Sequence, residues 1–281
     1  MGATMPFTPV ANARMYSATP GTRADWRALL DWVLAHAGLP WSIIDYDAPA
    51  PLNALWSRDD LGMAMMCGLP FAQRVFGDDA TLPRPRIVAA PVPSPARYGG
   101  RAVYFTDIVV RTDSSYQSLE DTFGGTVGYT LADSMSGGVA LRNHLAPLRA
   151  SRGARLYDRA VGNLINGRGV IDALVRGDID VGPLDSYFHD LLRKNDPAYV
   201  ARVRSVATTR ARPMPLFVAT APLDEPTLVA LRAALAAATT SAELEPLRQR
   251  LLIGGFVVPQ ADDYLPLVAD AQRCLPEFEE M

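Results

Sequence analysis

The sequence predicts an α/β protein, and three observations support that fold class. The 281-residue chain is 49% hydrophobic and carries a net charge of −3, a composition typical of a globular protein with one or two domains. Apolar runs bounded by glycine and proline alternate with segments of helical periodicity along most of the chain. The first alternation reads strand, helix, strand, at the spacing of a parallel βαβ unit.

Composition also argues against several classes of protein. The chain has no basic stripe for nucleic acid, and no apolar run approaches the roughly 18 residues of a transmembrane helix. Its first 16 residues lack the charged and apolar regions of a secretory signal, so we expect a cytoplasmic protein or one whose leader is missing. Lys194 is the only lysine, which removes P-loop chemistry. Cys67 and Cys274 are expected to be separate, mostly buried thiols.

The first part of the chain predicts a sheet flanked by helices. Residues 13–19 read as a strand, residues 23–37 as an amphipathic helix and residues 41–46 as a second strand. A buried strand at 61–67 runs into a tight turn at 68–71. In open α/β sheets ligands bind at the carboxyl ends of strands, where Tyr16, Cys67 and Gly68 would lie. Tyr16 also fits an ordinary half-buried strand aromatic.

Three β runs predict that the chain crosses twice between two lobes. One spans residues 102–111, and its counterparts lie near 202–206 and 216–220. We therefore assign residues 1–106 to lobe 1, 107–211 to lobe 2, and 212–281 to the return of lobe 1 with the C-terminal helices. In that last part, Asp224 is predicted to cap one helix, and residues 240–243 read as a capping box for another.

The stretch from residue 124 to 146 reads strand, polar glycine-rich turn, helix. Ser134 and Ser136 lie in the turn, followed by Gly137 and Gly138. Hydroxyls and amide groups at a helix N-terminus, where the helix dipole is positive, suit a small oxyanion. The alternative is that Ser134 or Ser136 only caps the helix.

These segments together resemble the phosphate/phosphonate-type substrate-binding proteins of ABC transporters, which have the type II periplasmic binding protein fold. The motifs are RMYSAT (14–19), LGMAMMCGLPF (61–71), YGGRAVYFTDIVVR (98–111) and SLED (118–121). SMSG (134–137), VIDALVRGDIDVGPLDS (170–186), and GGF (254–256) with DDY (262–264) complete the set. The resemblance rests on their order and spacing over most of the chain.

The resemblance implies two α/β lobes around a cleft that closes on a small anionic ligand, joined by two hinge crossings. Tyr16, Cys67 and Gly68 would contact the ligand from the first lobe, with Tyr104 at the hinge. From the second lobe, Ser134, Ser136 and the amides of Gly137 and Gly138 would bind oxyanion oxygens, opposite Asp185 and Ser186. The family further implies an ABC permease partner and a periplasmic location, with no cofactor; we expect a monomer.

One position departs from the family pattern. Many members carry a Gly-x-His turn where this sequence has Asn166-Gly167-Arg168-Gly169. Arg168 either replaces the histidine with a bidentate guanidinium or is a solvated charge at the start of a helix.

The sequence also fits two enzymatic alternatives. Some cofactor-biosynthesis enzymes of the menaquinone and thiamine-pyrimidine routes share the fold and lack a leader. A serine hydrolase would use Ser136 with a histidine base, but His189 is expected to be a surface residue. No spacing of histidines or cysteines predicts a metal site. We expect a binding protein rather than an enzyme.

Overall fold

A computed structural model describes residues 8–79, 81–273, 275 and 277–281. The chain folds into two compact units. The first comprises Met1–Val103 and Pro213–Leu265, and the second comprises Tyr104–Arg212 and Pro266–Met281. The expectation for Cys274 lies outside the described residues, whereas Cys67 is half-buried.

The described residues form 13 strands and ten α-helices. The strands are β1 (Val10–Asn12), β2 (Ser42–Ile43), β3 (Leu61–Met66), β4 (Arg86–Pro93), β5 (Val103–Tyr104), β6 (Thr106–Arg111), β7 (Thr126–Gly128), β8 (Arg159–Val161), β9 (Val181–Asp185), β10 (Val203–Thr208), β11 (Arg212–Pro213), β12 (Leu216–Ala219) and β13 (Ile253–Val257). The helices are α1 (Pro20–His36), α2 (Leu52–Trp56), α3 (Gly68–Phe76), α4 (Ala140–Arg152), α5 (Gly167–Arg176), α6 (Ser186–Asn195), α7 (Pro197–Val200), α8 (Glu225–Ala238), α9 (Glu245–Leu251) and α10 (Leu265–Gln272).

The first unit is built on a six-stranded sheet in the order β13-β4-β12-β3-β1-β2. Strands β1, β2 and β3 are parallel, whereas β12 runs antiparallel between β3 and β4. All six residues of β3 are buried, as its unbroken apolar run predicts. The returning chain thus supplies a central strand of this sheet.

Two predicted elements of the first unit are wrong. The first strand is β1 rather than residues 13–19, because Thr19 caps α1 through a reciprocal bond with Thr22 and Pro20 starts that helix. Residues 68–71 are not only a turn: they open α3, whose buried side chains include Leu69 and Phe71. The apolar spacing continues to Phe76, which is why the chain stays helical.

The second unit has a five-stranded sheet in the order β10-β6-β9-β7-β8. Strands β7, β8 and β9 are parallel, and β6 runs antiparallel to both β9 and β10. Its core is a cluster of buried side chains: Ile108, Val110, Leu119, Val127, Leu141, Leu145, Leu156, Tyr157, Val181, Phe278 and Met281. The predicted long strand at 102–111 is interrupted, so that β5 pairs with β11 and β6 belongs to the larger sheet.

The C-terminal segment differs from the sequence expectation. Residues 266–281 belong to the second unit rather than to the first, because Phe278 and Met281 pack into its core. Asp224 caps α8 through Thr227 N, as predicted. Residues 240–243 do not form a capping box, since α9 begins at Glu245 after Leu244.

Within the described ranges, no helix is long and apolar enough to cross a membrane.

Candidate functional site

The turn before α4 is a π-helical segment, Met135–Val139, and Ser134 is its N-cap. Ser134 Oγ accepts the Gly137 amide at 3.3 Å, and the Ser134 carbonyl accepts the amides of Gly138 and Val139 at 2.9 Å each. π-helical turns are rare and occur frequently at functional sites. Capping by Ser134 is therefore observed, and it leaves Ser136 as the remaining hydroxyl of the turn.

Two glycines allow this turn to pack closely. A Cβ at Gly137 would collide with the Thr130 hydroxyl, and a Cβ at Gly138 would collide with the carbonyl oxygens of Leu131 and Ala132. The Thr130 amide in turn donates to the Gly137 carbonyl at 3.1 Å. The Gly-Gly pair is thus needed for close approach of the turn to the segment that follows β7.

The amides that point out of the turn are not the predicted ones. Gly137 and Gly138 donate to Ser134, so their N–H groups are already used within the turn. No acceptor for the amides of Met135 and Ser136, or for the Ser136 hydroxyl, occurs among the described residues. The outward-facing donors are therefore the amides of Met135 and Ser136, two residues earlier than predicted, because Ser134 accepts the third and fourth amides of the turn.

Thr106, which sequence reasoning missed, anchors this turn to the sheet. It is the first residue of β6, is 1% exposed, and donates its hydroxyl to the Ser136 carbonyl at 3.0 Å. Its own amide donates to Thr209 Oγ1 at 3.0 Å. The available signal was the polar pair Thr106-Asp107 inside an apolar β run, since buried polar groups require partners.

Asp185 and Ser186 lie beside this anchor. Asp185 pairs with Thr106 in the β6–β9 register, and its Oδ1 accepts the amides of Tyr187 and Phe188 at 2.9 and 3.1 Å. Ser186 is buried, and its hydroxyl accepts the Phe105 amide at 2.9 Å. The structure therefore brings Ser136, Asp185 and Ser186 to one edge of the second sheet, with Asp185 employed as the N-cap of α6.

Arg168 lies in the first turn of α5 and is engaged within its own unit. Its Nη2 is 3.0 Å from Asp196 Oδ2, and its guanidinium stacks 4.3 Å from the centre of the Tyr199 ring. Burial, with a smaller effect of Asp172, raises the pKa of Tyr199 to about 12, so the ring under Arg168 is neutral. An anionic ligand at Arg168 would have to compete with Asp196.

In the first unit, Tyr16 lies in the loop between β1 and α1. It is 7% exposed and has φ of 61°, a left-handed conformation that is strained for a bulky residue. The loop is held by hydrogen bonds from the Ser17 amide to the Arg14 carbonyl and from Ser17 Oγ to the Ala13 carbonyl. Backbone strain of this kind clusters at functional sites.

Cys67 and Gly68 lie at the end of β3, the strand that pairs with β1. Cys67 is the N-cap of α3, and its side chain forms no capping hydrogen bond. In the described chain the amides of Gly68 and Leu69 have no acceptor, whereas the Phe71 amide donates to the Cys67 carbonyl. This edge therefore carries a second pair of outward amides at a helix N-terminus.

Tyr104 begins the second unit, where the chain leaves the first. Only 3% of its surface is exposed, and its position in β5 fixes it at the crossing. Tyr104 is thus a buried residue at the boundary between the two units along the chain, and its hinge role stays a prediction.

His189 is buried rather than on the surface, which corrects the sequence expectation. Its Nδ1 lies 2.8 Å from Asp107 Oδ2, and both side chains are 1% exposed. Asp107 Oδ1 accepts the Thr208 hydroxyl at 3.0 Å. No hydrogen bond joins Ser136 to a histidine in the described ranges. Helix α6 is buried on most of its circumference, with Ser186, Tyr187, His189, Asp190, Leu191 and Leu192 all buried, so the usual expectation of one exposed face does not apply to it.

Solved structures share this fold. A binding protein component of a phosphonate ABC transporter from Pseudomonas aeruginosa matches with a TM-score of 0.73 and 16% identity, over 93% of this chain and 85% of that one. PhnD1 from Prochlorococcus marinus in complex with methylphosphonate matches with a TM-score of 0.74 and 12% identity, over 95% and 98%. A Xanthomonas citri protein bound to ATP matches with a TM-score of 0.63 and 22% identity, over 95% and 98%.

The fold is the two-lobed type II periplasmic binding protein fold, as predicted. No curated protein matches the chain. A family model described as the periplasmic substrate-binding protein of phosphonate ABC transporters matches residues 18–264, most of the chain. The chain therefore belongs to the family of periplasmic substrate-binding proteins of phosphonate ABC transporters.

Proposed function

We propose that the protein binds a small phosphonate- or phosphate-like oxyanion and delivers it to an ABC permease from the periplasmic side. Its family is one of transporter components rather than of enzymes. The observation that carries the proposal is the Met135–Val139 turn, with two outward amides, one hydroxyl and a buried threonine that fixes its position. These neutral donors suit an oxyanion without requiring a buried counter-charge.

In this proposal, the amides of Met135 and Ser136 and the Ser136 hydroxyl donate to the oxyanion oxygens. In the first unit, we assign the same donor role to the amides of Gly68 and Leu69, with Tyr16 as a further binding residue. A ligand that binds one conformation more tightly stabilises that conformation by its differential affinity. Asp185 accepts backbone amides, which lowers the repulsion that its charge exerts on an anion.

Isothermal titration calorimetry and thermal unfolding test the proposal. The ligands are methylphosphonate, 2-aminoethylphosphonate, phosphate, phosphite, sulfate and acetate. A ligand at 100 times its Kd stabilises the folded protein by about 2.7 kcal/mol, a clear rise in Tm. We expect a rise with phosphonate or phosphate and none with acetate. No response to any phosphorus oxyanion contradicts the proposal.

Ser136→Ala separates the proposed site from non-specific anion binding. Removing a hydroxyl that donates to a charged ligand lowers affinity by about tenfold or more. The matched control is Ser205→Ala on the exposed side of β10, which should leave affinity unchanged. Arg168→Ala adds a second comparison. A loss of affinity equal to that of Ser136→Ala would indicate that the guanidinium binds the ligand instead of staying paired with Asp196.

A further inference from the structure

The second unit contains a cavity of about 440 Å³ that the proposed oxyanion site does not use. One face of α4 lines it through Asn143, His144, Pro147 and Leu148, and the edge strand β10 lines it through Val206 and Ala207. This volume lies within the range of small-molecule pockets. The cavity is therefore large enough for an organic ligand rather than for a single ion.

Three arginines gather at this cavity around one carboxylate. Arg212 Nη2 is 3.2 Å from Asp270 Oδ2, Arg273 Nη2 is 3.6 Å from Asp270 Oδ1, and Arg210 also donates to Asp270. Arg212 and Asp270 are 4% and 5% exposed, whereas Arg210 and Arg273 are more than half exposed. Even with Glu120 counted on the lining, three cations face two carboxylates, so positive charge is in excess.

The buried guanidinium is also incompletely satisfied. Arg212 Nε is inaccessible to solvent and has no acceptor within the described part of the chain. An unmatched buried donor on a charged group costs free energy. Burial and the nearby charge of Arg212 lower the pKa of His144, against a smaller opposing effect of Glu120. The pKa of His144 therefore responds both to burial and to charge at the cavity.

Much of the remaining lining is apolar. Leu119, Pro147, Leu148, Val206 and Ala207 form this apolar wall. We propose that the cavity is a second binding site, for a small organic anion whose carboxylate or phosphate head pairs with Arg210, Arg212 and Arg273 and whose apolar body packs on the wall. Guanidinium groups bind both kinds of head bidentately.

The chain contains three histidines, so the ring resonances of His144 provide a direct readout by NMR. Hexanoate and hexyl phosphate are the probes, and hexanamide is the neutral control. We expect each anion to shift the His144 signals saturably and to raise the pKa of His144, because a negative charge offsets that of Arg212. Hexanamide should cause neither change. The anion that binds more tightly identifies the head group.

Variants assign the binding to this cavity. The double substitution Arg210→Gln with Arg273→Gln removes two exposed partners, retains Arg212 with Asp270, and should weaken hexanoate binding at least about tenfold. Arg176→Gln is the matched control, because Arg176 is similarly exposed in an ion pair with Asp178. Ser136→Ala should leave the hexanoate response intact, which separates this site from the proposed oxyanion site. Unchanged His144 signals at millimolar anion, or equal binding of hexanamide, overturn the proposal.

Discussion

At the scale of single residues, the proposed site depends on a turn whose backbone is closely packed against neighbouring residues. Gly137 packs against Thr130, and Gly138 packs against the backbone of Leu131 and Ala132, where any side chain would collide. Thr106 is almost fully buried and bonds the turn to β6. A preorganised turn of this kind keeps its donors in position before a ligand arrives. Substitutions at these positions should therefore affect binding through geometry rather than through charge.

Gly137→Ala should abolish measurable phosphonate binding and lower the free energy of unfolding by about 1–3 kcal/mol, the usual cost of overpacking. The added Cβ would collide with Thr130 Oγ1 and push the turn away. Calorimetry and urea unfolding measure the two effects. Gly21→Ala is the control, because a Cβ there meets only ordinary contact, 3.6 Å from Thr19 Oγ1. Retained affinity in Gly137→Ala would show that the turn does not bind the ligand.

Thr106→Val should cost about 1 kcal/mol of stability, because a buried hydrogen bond to the Ser136 carbonyl is lost. Ligand affinity should fall as well, although Thr106 need not contact the ligand. Thr106→Ser keeps the hydroxyl and should restore most of the affinity while leaving a small cavity. A similar affinity loss in both variants would argue against hydroxyl-mediated positioning.

At the scale of elements, a carboxylate is stabilised where it caps the N-terminus of a helix. Asp224 caps α8, and hydrogen bonds from Thr227 hold the pKa of Asp224 below its usual range. A depressed pKa contributes stability above the unfolded value of about 3.9, and that contribution is lost as pH falls through the folded value.

Asp224→Asn keeps a good cap and removes the titration. We expect the stability difference between wild type and this variant to be present at neutral pH and to vanish once the pH has fallen below the folded pKa of Asp224. Urea unfolding at several pH values measures the difference. A pH-independent difference would mean that the charge of Asp224 has no part in the cap.

The buried pair of His189 and Asp107 joins α6 to β6. His189→Leu leaves the Asp107 carboxylate buried without one of its partners and should destabilise the protein by about 3 kcal/mol. His36→Leu on the exposed side of α1 is the comparison and should change stability by less than about 0.5 kcal/mol. Urea unfolding distinguishes them. Equal small effects would show that Asp107 is satisfied without the histidine.

Elements with strong local signals could be predicted from sequence, and elements fixed by distant contacts could not. The periodicity of α1, the buried run of β3 and the capping aspartate of α8 are all local features. The position of β1 and the burial of His189 depend on partners far along the chain. The sequence predicts the turn at 134–138 but not which of its amides stay available, because it does not show that Ser134 accepts the third and fourth amides.

At the scale of the whole molecule, the C-terminal residues hold the second unit together. Phe278 is 1% exposed and stacks on Tyr129 with ring centres 4.2 Å apart, and the Met281 carbonyl accepts the Leu156 amide at 2.6 Å. Phe278→Ala should cost about 3–5 kcal/mol, the usual effect of truncating a buried aromatic. Hydrogen exchange should show the loss of protection in the second unit, and equal loss in both units would contradict the division of the chain.

The interleaved order of the two units has a consequence for synthesis. The first unit lacks its central strand β12 until residue 219 has been made, and the second lacks part of its core until Phe278 and Met281 have been added. Neither unit can therefore be completed while these segments are still missing from the emerging chain. We expect a nascent chain that stays open and accessible to chaperones until nearly all of these residues have been translated.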